Sequence, residues 1–167
     1  VNSNGLIFLV DPMSIKGIVD HLPYHLRPRV TPRESFRNLD PVINILSRQL
    51  GIMPGEPIPV PVAITMAKSA LLRYLLEDPT SSPVFLQRPD YTQGYCEQDA
   101  EMVDAEIGEI IRRCEGASLL NNKNAFGEAK FFAVSATGMA PNERGEFHDV
   151  QPLRCADPLR YILSELD

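Results

Sequence analysis

"VAITMAKSALL", residues 62–72, is the stretch on which the reading of this chain turns. Val62-Ala63-Ile64-Thr65 is apolar and rich in β-formers, Lys68-Ser69 breaks it, and Leu71, Leu72, Leu75 and Leu76 begin a new apolar series. A buried strand hands over to a helix in this way. A lysine at such a junction either serves a ligand or is simply solvated, which is the commoner meaning.

Working outward, two more continuous apolar runs flank this one. Leu6–Val10 precedes it and Lys130–Val134, "KFFAV", follows it. Runs without polar alternation are strands covered on both faces, the habit of parallel sheets. The middle strand is expected over Pro59–Thr65, with Pro59 and Pro61 confining regular pairing to its later part. Helices are expected between the strands: residues 13–22, Pro32–Leu50 with Thr31 as cap, Ser69–Leu76, residues 97–114, a turn at Leu119-Leu120, and a last helix from Asp157-Pro158. Residues 78–95, "DPTSSPVFLQRPDYTQGY", are expected as a long loop. Alternating strands and helices predict a three-layer α/β domain, with about three parallel strands flanked by helices. The first strand is as apolar as a central strand, so the sheet looks cut, and the missing initiator Met suggests a piece of a longer protein.

The bulk numbers narrow the function classes. The 167 residues suffice for one domain with a core, and 44% hydrophobic with 23% charged residues is a globular composition. No apolar run is long enough to span a membrane, and the opening residues are expected to enter a strand rather than a signal peptide. A net charge of −6 argues against nucleic acid, which needs a basic surface. Cys96, Cys114 and Cys155 are odd in number and widely spaced, which fits free thiols in the cytoplasm better than a disulfide frame. His21 and His25 have the i, i+4 spacing of helical metal ligands, but Pro23 lies between them and breaks that helix. Arg27, Arg29, Arg33 and Arg37 read as a solvated loop and helix face. Asp78 and Asp90 border the long loop without a second carboxylate to pair with, and no nucleophile–base pair stands out.

Ligands of open α/β sheets bind beyond the carboxyl ends of the strands. Those ends are Asp11-Pro12, Ala67-Lys68-Ser69-Ala70 and Ser135-Ala136-Thr137. Here a resemblance emerges. "FFAVSATG", residues 131–138, resembles the last strand of a translation-factor-class P-loop GTPase domain, where amides of a Ser-Ala pair meet the guanine oxygen. "VPVAITMAKSALL" sits where that family carries its (N/T)-K-x-D base motif. "GLIFLVDP" and "DPLRYILSEL" resemble the preceding strand and the closing helix. The likeness is nearest to the bacterial double-GTPase-like group and covers the second half of such a domain. It implies Lys68, Ser69, Ser135, Ala136 and Thr137 as nucleotide-binding positions. It also implies GTP or GDP with magnesium for the longer protein, and no cofactor in this chain.

The departures from that family are large. The phosphate-cradling G-x-x-x-x-G-K-(S/T) loop, the threonine switch and the D-x-x-G are absent. Within the base motif Ala67 and Ala70 replace the Asn/Thr and the Asp, so only Lys68 remains. Losing a charged hydrogen-bond acceptor costs about 1.5–3 kcal/mol, roughly ten- to a hundred-fold in affinity. The similar "NKNA" at Asn122–Ala125 precedes a strand rather than following one, and reads as a polar helix end. The expectation is therefore the C-terminal part of a GTPase-like module with degenerate guanine recognition, unable to hydrolyse GTP by itself. The rival reading is a pseudo-GTPase scaffold, and an unrelated flavodoxin-like binding domain comes third. The partners expected are a guanine nucleotide, the missing N-terminal half or another protein, and a second copy through the strand at residues 6–10, unless the chain's own N-terminal residues or helices cover it.

Overall fold

The computed structural model describes residues 4–29, 39–114 and 116–166. Three strands form one parallel sheet: β1 (Leu6–Val10), β2 (Val62–Met66) and β3 (Ala129–Ala133), in the order β1-β2-β3. Phe8 lies beside Ile64 and Ile64 beside Phe131, so one register runs across the sheet. The apolar runs are strands as expected, with small shifts of boundary. β2 begins at Val62, because Pro59 and Pro61 have no N–H to give; upstream of them Ile58 makes only a lone bridge to Phe126.

Every residue of β2 is buried, so both faces need cover. On one face Ile64, Met66, Phe131 and Ala133 join a large core with Ile18 of α1 (Lys16–His21), Leu39 of α2 (Leu39–Leu50), Val103, Ile107 and Ile111 of α3 (Glu97–Arg113), and Leu119 of α4 (Ala117–Lys123). On the other face Ala63 and Phe132 meet Tyr161 and Ile162 of α5 (Asp157–Ser164). Among the described residues β1 is an edge of this sheet despite its composition, and Ile7 and Leu9 stand 41% and 62% exposed.

Several helices differ from expectation. The span 13–22 is broken by extended Ile15 into a 3-10 turn, Pro12–Ser14, and the short α1. The segment after β2 is a 3-10 helix, Ser69–Leu75, rather than an α-helix. At three residues per turn Ser69, Leu72 and Leu75 share one face, and all three are buried. The expected helix Pro32–Leu50 is seen as α2 with Asp40 and Pro41 in its first turn; Thr31, Arg33, Phe36 and Arg37 lie outside the described residues. The last strand ends one residue early at Ala133, and the helical turn near Leu119 is a full α4. The long loop carries two 3-10 turns, Val84–Leu86 and Tyr91–Gln93.

Two contacts lock the helices to the sheet. A Cβ on Gly17 would lie 2.5 Å from the Cys114 carbonyl oxygen, so α1 can approach the end of α3 only with glycine there. Asp104 of α3 accepts the Phe131 N–H of β3 at 2.6 Å and the Lys123 ammonium of α4 at 2.6 Å, while Lys123 sits 4.8 Å over the Phe131 ring. This is the structural role of the lysine in "NKNA". Replacing Asp104 by Ala leaves a strand N–H and an ammonium without their acceptor, and is expected to lower the unfolding free energy by about 1.5–3 kcal/mol in urea denaturation.

Candidate functional site

Because the strands are parallel and in register, Val10, Met66 and Ala133 all end at one edge of the sheet. The residues that follow them line a cavity of about 530 Å³. Its walls are chiefly apolar, with Leu9, Met13, Leu26, Leu71, Met139 and Phe147 among them. Lys68, Ser135, Ala136 and Thr137 also line it, so four of the five sequence-predicted positions converge on one place. Ser69 follows Lys68 with its side chain fully buried; its Oγ has no hydrogen-bond partner among the described residues.

Lys68, Ser135 and Thr137 already have structural employment. Lys68 turns the chain out of β2 in the left-handed region, φ 51° and ψ 34°, which costs a non-glycine residue about 1–2 kcal/mol. The turn lets the Ser69 N–H reach the Val134 carbonyl at 2.9 Å. The Lys68 ammonium donates to Asp11 Oδ2 at 2.7 Å, while Asp11 Oδ1 accepts the Met13 N–H at 3.0 Å. The ion pair is half exposed on both sides, so it contributes under about 1 kcal/mol. Ser135 exchanges backbone hydrogen bonds with Leu153, and its Oγ accepts the Gly138 N–H at 2.9 Å. Gly138 has φ +69°, and a Cβ there would lie 1.9 Å from the Gln151 carbonyl oxygen, so this turn is reserved for glycine. The Thr137 hydroxyl donates to the Met139 carbonyl at 2.8 Å. Ala70 is buried and offers no acceptor.

A second constellation carries no motif in the sequence. The Arg154 guanidinium is 1% exposed, and Arg154 too is left-handed, φ 54°. It donates to both oxygens of Asp99, at 2.6 and 3.0 Å, to Asp157 Oδ2 at 2.8 Å and to the Val84 carbonyl at 3.1 Å. Burial works against its charge, but the Asp99 and Asp157 carboxylates outweigh that and raise its pKa. The Tyr91 hydroxyl donates to Asp157 Oδ1 at 2.6 Å, and burial together with that carboxylate pushes its phenol well above the usual value. Arg160 stacks on the Tyr91 ring at 4.4 Å. Glu106 accepts the N–H groups of Val84 and Phe85, both at 2.9 Å. The 78–95 segment is thereby fastened to α3 and α5, and a smaller cavity of about 200 Å³ between Tyr91, Tyr95 and Phe132 results. Asp99 and Glu106 lie seven apart on the apolar stripe of α3; those two interruptions were the available signal.

Other candidates resolve as structure. His21 bonds the Gly17 carbonyl within its own helix, at 2.7 Å. Among the described residues no group of three His, Cys, Asp or Glu could hold a metal ion. Arg27 donates to the Leu22 and Asp20 carbonyls, closing its own loop. Asp78 and Asp90 each accept from the threonine two residues on, and those hydrogen bonds lower their pKa values. Lys130 pairs with Glu97 and holds that carboxyl below its usual range. No helix among the described residues is long and apolar enough to cross a membrane.

No protein-family model matches the chain, and no solved structure matches it. Among curated proteins it is similar to a candidate ESX-1 scaffolding and assembly protein, SaeC, of Mycolicibacterium smegmatis, at 26% identity over 178 residues. The match takes in 98% of this chain but 44% of that protein, so the chain spans under half of the relative's length.

The two polar constellations should respond differently to mutation. Arg154→Met strands two carboxylates and is expected to cost about 3–5 kcal/mol, with faster amide exchange at Val84–Tyr91 by mass spectrometry. Lys68→Ala breaks only the exposed pair and is expected to cost under about 1 kcal/mol.

Proposed function

We propose that the chain is a protein-interaction module of a larger scaffold-type protein, built on a GTPase-like sheet that no longer selects guanine. The observation that carries this is the chemistry of the strand-end cavity. Where a base would need an acceptor there is Ala70, the one motif lysine is engaged by Asp11, and the Ser135 amide is donated to Leu153. What remains is a mainly apolar hollow with Met13, Met139 and an exposed Phe147 on its walls. Flexible methionines beside an aromatic group adapt to the apolar side chains of a partner. The relative's description as a scaffolding and assembly protein supports the same reading. Cys96, Cys114 and Cys155 are free thiols, in keeping with work in the cytoplasm.

A second reading keeps a weak guanine-nucleotide site in the same cavity. The convergence of Lys68, Ser135, Ala136 and Thr137 favours it. Magnesium and phosphate handling would then come from elsewhere in the longer protein.

One pair of variants separates the readings. Calorimetric titration with GTP and GDP, magnesium present, is expected to give no saturable binding. Phe147→Glu in the longer protein is expected to abolish recruitment of its partners, seen by photo-crosslinking from position 139, while Lys68→Ala leaves recruitment intact. Tight, guanine-selective binding that Lys68→Ala removes would overturn the interaction reading in favour of the nucleotide one.

A further inference from the structure

The smaller cavity, of about 200 Å³, shares no lining residue with the strand-end cavity, so its use does not rest on that cavity's function. Three aromatic residues line it: Tyr91 and Tyr95 from the 78–95 segment, and Phe132 of β3, 1% exposed. Burial first, then the Asp157 and Glu97 carboxylates, push the Tyr91 and Tyr95 phenols up. Both rings therefore stay protonated and neutral. The same walls carry Asp90, Asp99 and Asp157, against one cationic residue among the described residues, Arg160.

The charge in this corner does not balance. Arg154 is shared by Asp99 and Asp157, so that cluster holds one negative charge more than positive. The guanidinium is 1% exposed and is not part of the cavity wall, whereas the Asp99 side chain is 31% exposed. Asp90 adds a further carboxylate at the rim. Arg160 is committed elsewhere: it lies 4.4 Å over the Tyr91 ring, donates to the Tyr91 carbonyl at 3.3 Å, and forms no ion pair among the described residues. The first turns of α3 and α5, which hold Asp99 and Asp157, soften the surplus through their dipoles without placing a cation in the cavity.

The donor and acceptor inventory narrows the guest. Both Asp99 oxygens accept from Arg154, and those of Asp157 accept from Arg154 and Tyr91. A primary ammonium brings three N–H donors that each need an acceptor. A quaternary ammonium brings none, and binds through aromatic faces and a negative surrounding. A metal ion is a poor match, since no group of three ligating side chains comes together among the described residues. Pockets for drug-sized ligands run to about 300–1,000 Å³, so this one suits a single head group.

We propose that this cavity binds a quaternary ammonium group, walled by Tyr91, Tyr95 and Phe132 and drawn in by the charge of Asp90, Asp99 and Asp157. Tyr91 already accepts a cation, Arg160, on its ring, which is the same chemistry in the native fold. Such a group reaches the site as a free amine of the choline type or as a trimethylated lysine of a partner, and the two are separated by the test.

Cys96 supplies a native reporter. It is free and exposed on the wall of this cavity, Cys155 is free and exposed at the other cavity, and Cys114 is buried. The 167-residue chain is alkylated with iodoacetamide and the rate at each cysteine is read by peptide mass spectrometry. Choline is expected to slow Cys96 severalfold at saturation and to leave Cys155 unchanged. Its uncharged isostere, with a quaternary carbon in place of the nitrogen, is expected to protect about tenfold more weakly, the equivalent of about 1.4 kcal/mol. Tyr95→Phe is expected to retain protection and Tyr95→Leu to lose about tenfold in choline affinity. Asp90→Asn keeps an oxygen for Thr92 at an exposed position, and is expected to weaken choline about two- to threefold at low salt. A tripeptide with a central trimethyllysine that protects better than choline assigns the site to a partner's modified lysine; choline the stronger assigns it to a free amine. The inference is overturned if neither quaternary probe protects Cys96, or if the uncharged isostere or the unmethylated lysine tripeptide protects equally. Protection of Cys155 to the same extent, or indifference to both Tyr95→Leu and Asp90→Asn, overturns it as well.

Discussion

The burial of β2 on both faces is the constraint from which the rest of the molecule follows. Five consecutive side chains, Val62 to Met66, have no solvent side. A strand of that kind needs neighbours on both edges and a layer above and below. β1 and β3 provide the edges. The two faces are covered unequally, by α1 to α4 on one side and by α5 with the start of α3 on the other. The thin cover on the second face is why β1 retains exposed apolar side chains while β3 does not.

Parallel register then determines where chemistry can occur. Three strands that start together end together, so Asp11, Lys68 and Ser135 meet without any of them being near the others in sequence. The meeting changes what each can do. Lys68 alone would be a cation for an anionic ligand; beside Asp11 it is half of a neutral, half-exposed pair worth less than the backbone strain at its own φ. The polar groups of the cavity serve its own turns, and its apolar walls are what face outward.

Charge of greater structural consequence lies at the start of α5. Arg154 carries its full charge at 1% exposure because two carboxylates and a carbonyl surround it. Such a group is costly to bury and costlier to strand. Together with Glu106 it converts a proline-rich segment, residues 78–95, from a loose excursion into a wall of the domain. A long loop in a compact domain is often mobile or functional; this one is held by charge-assisted hydrogen bonds at both of its short helical turns.

The three strands, their parallel order and the helical stripe of α3 are legible in the amino-acid sequence, because burial on a regular period writes itself into consecutive residues. The sequence also located the cavity's polar rim, since residues after strand ends are local to the strands. It misjudged the winding of Ser69–Leu75, where a three-residue and a 3.6-residue period both suit a run rich in leucine. The Ile15 break escaped it too, because an extended residue between two short turns leaves no mark on apolar spacing. That Lys68 faces Asp11, 57 residues away, and Arg154 faces Asp99, 55 residues away, emerges once the chain is folded. Ion pairs between distant segments have no period and no fixed spacing, so nothing in either segment announces the other. The same holds for β1: its composition reads as a central strand, and only the assembled sheet shows that its outer edge, with Ile7 and Leu9, is left without a strand among the described residues.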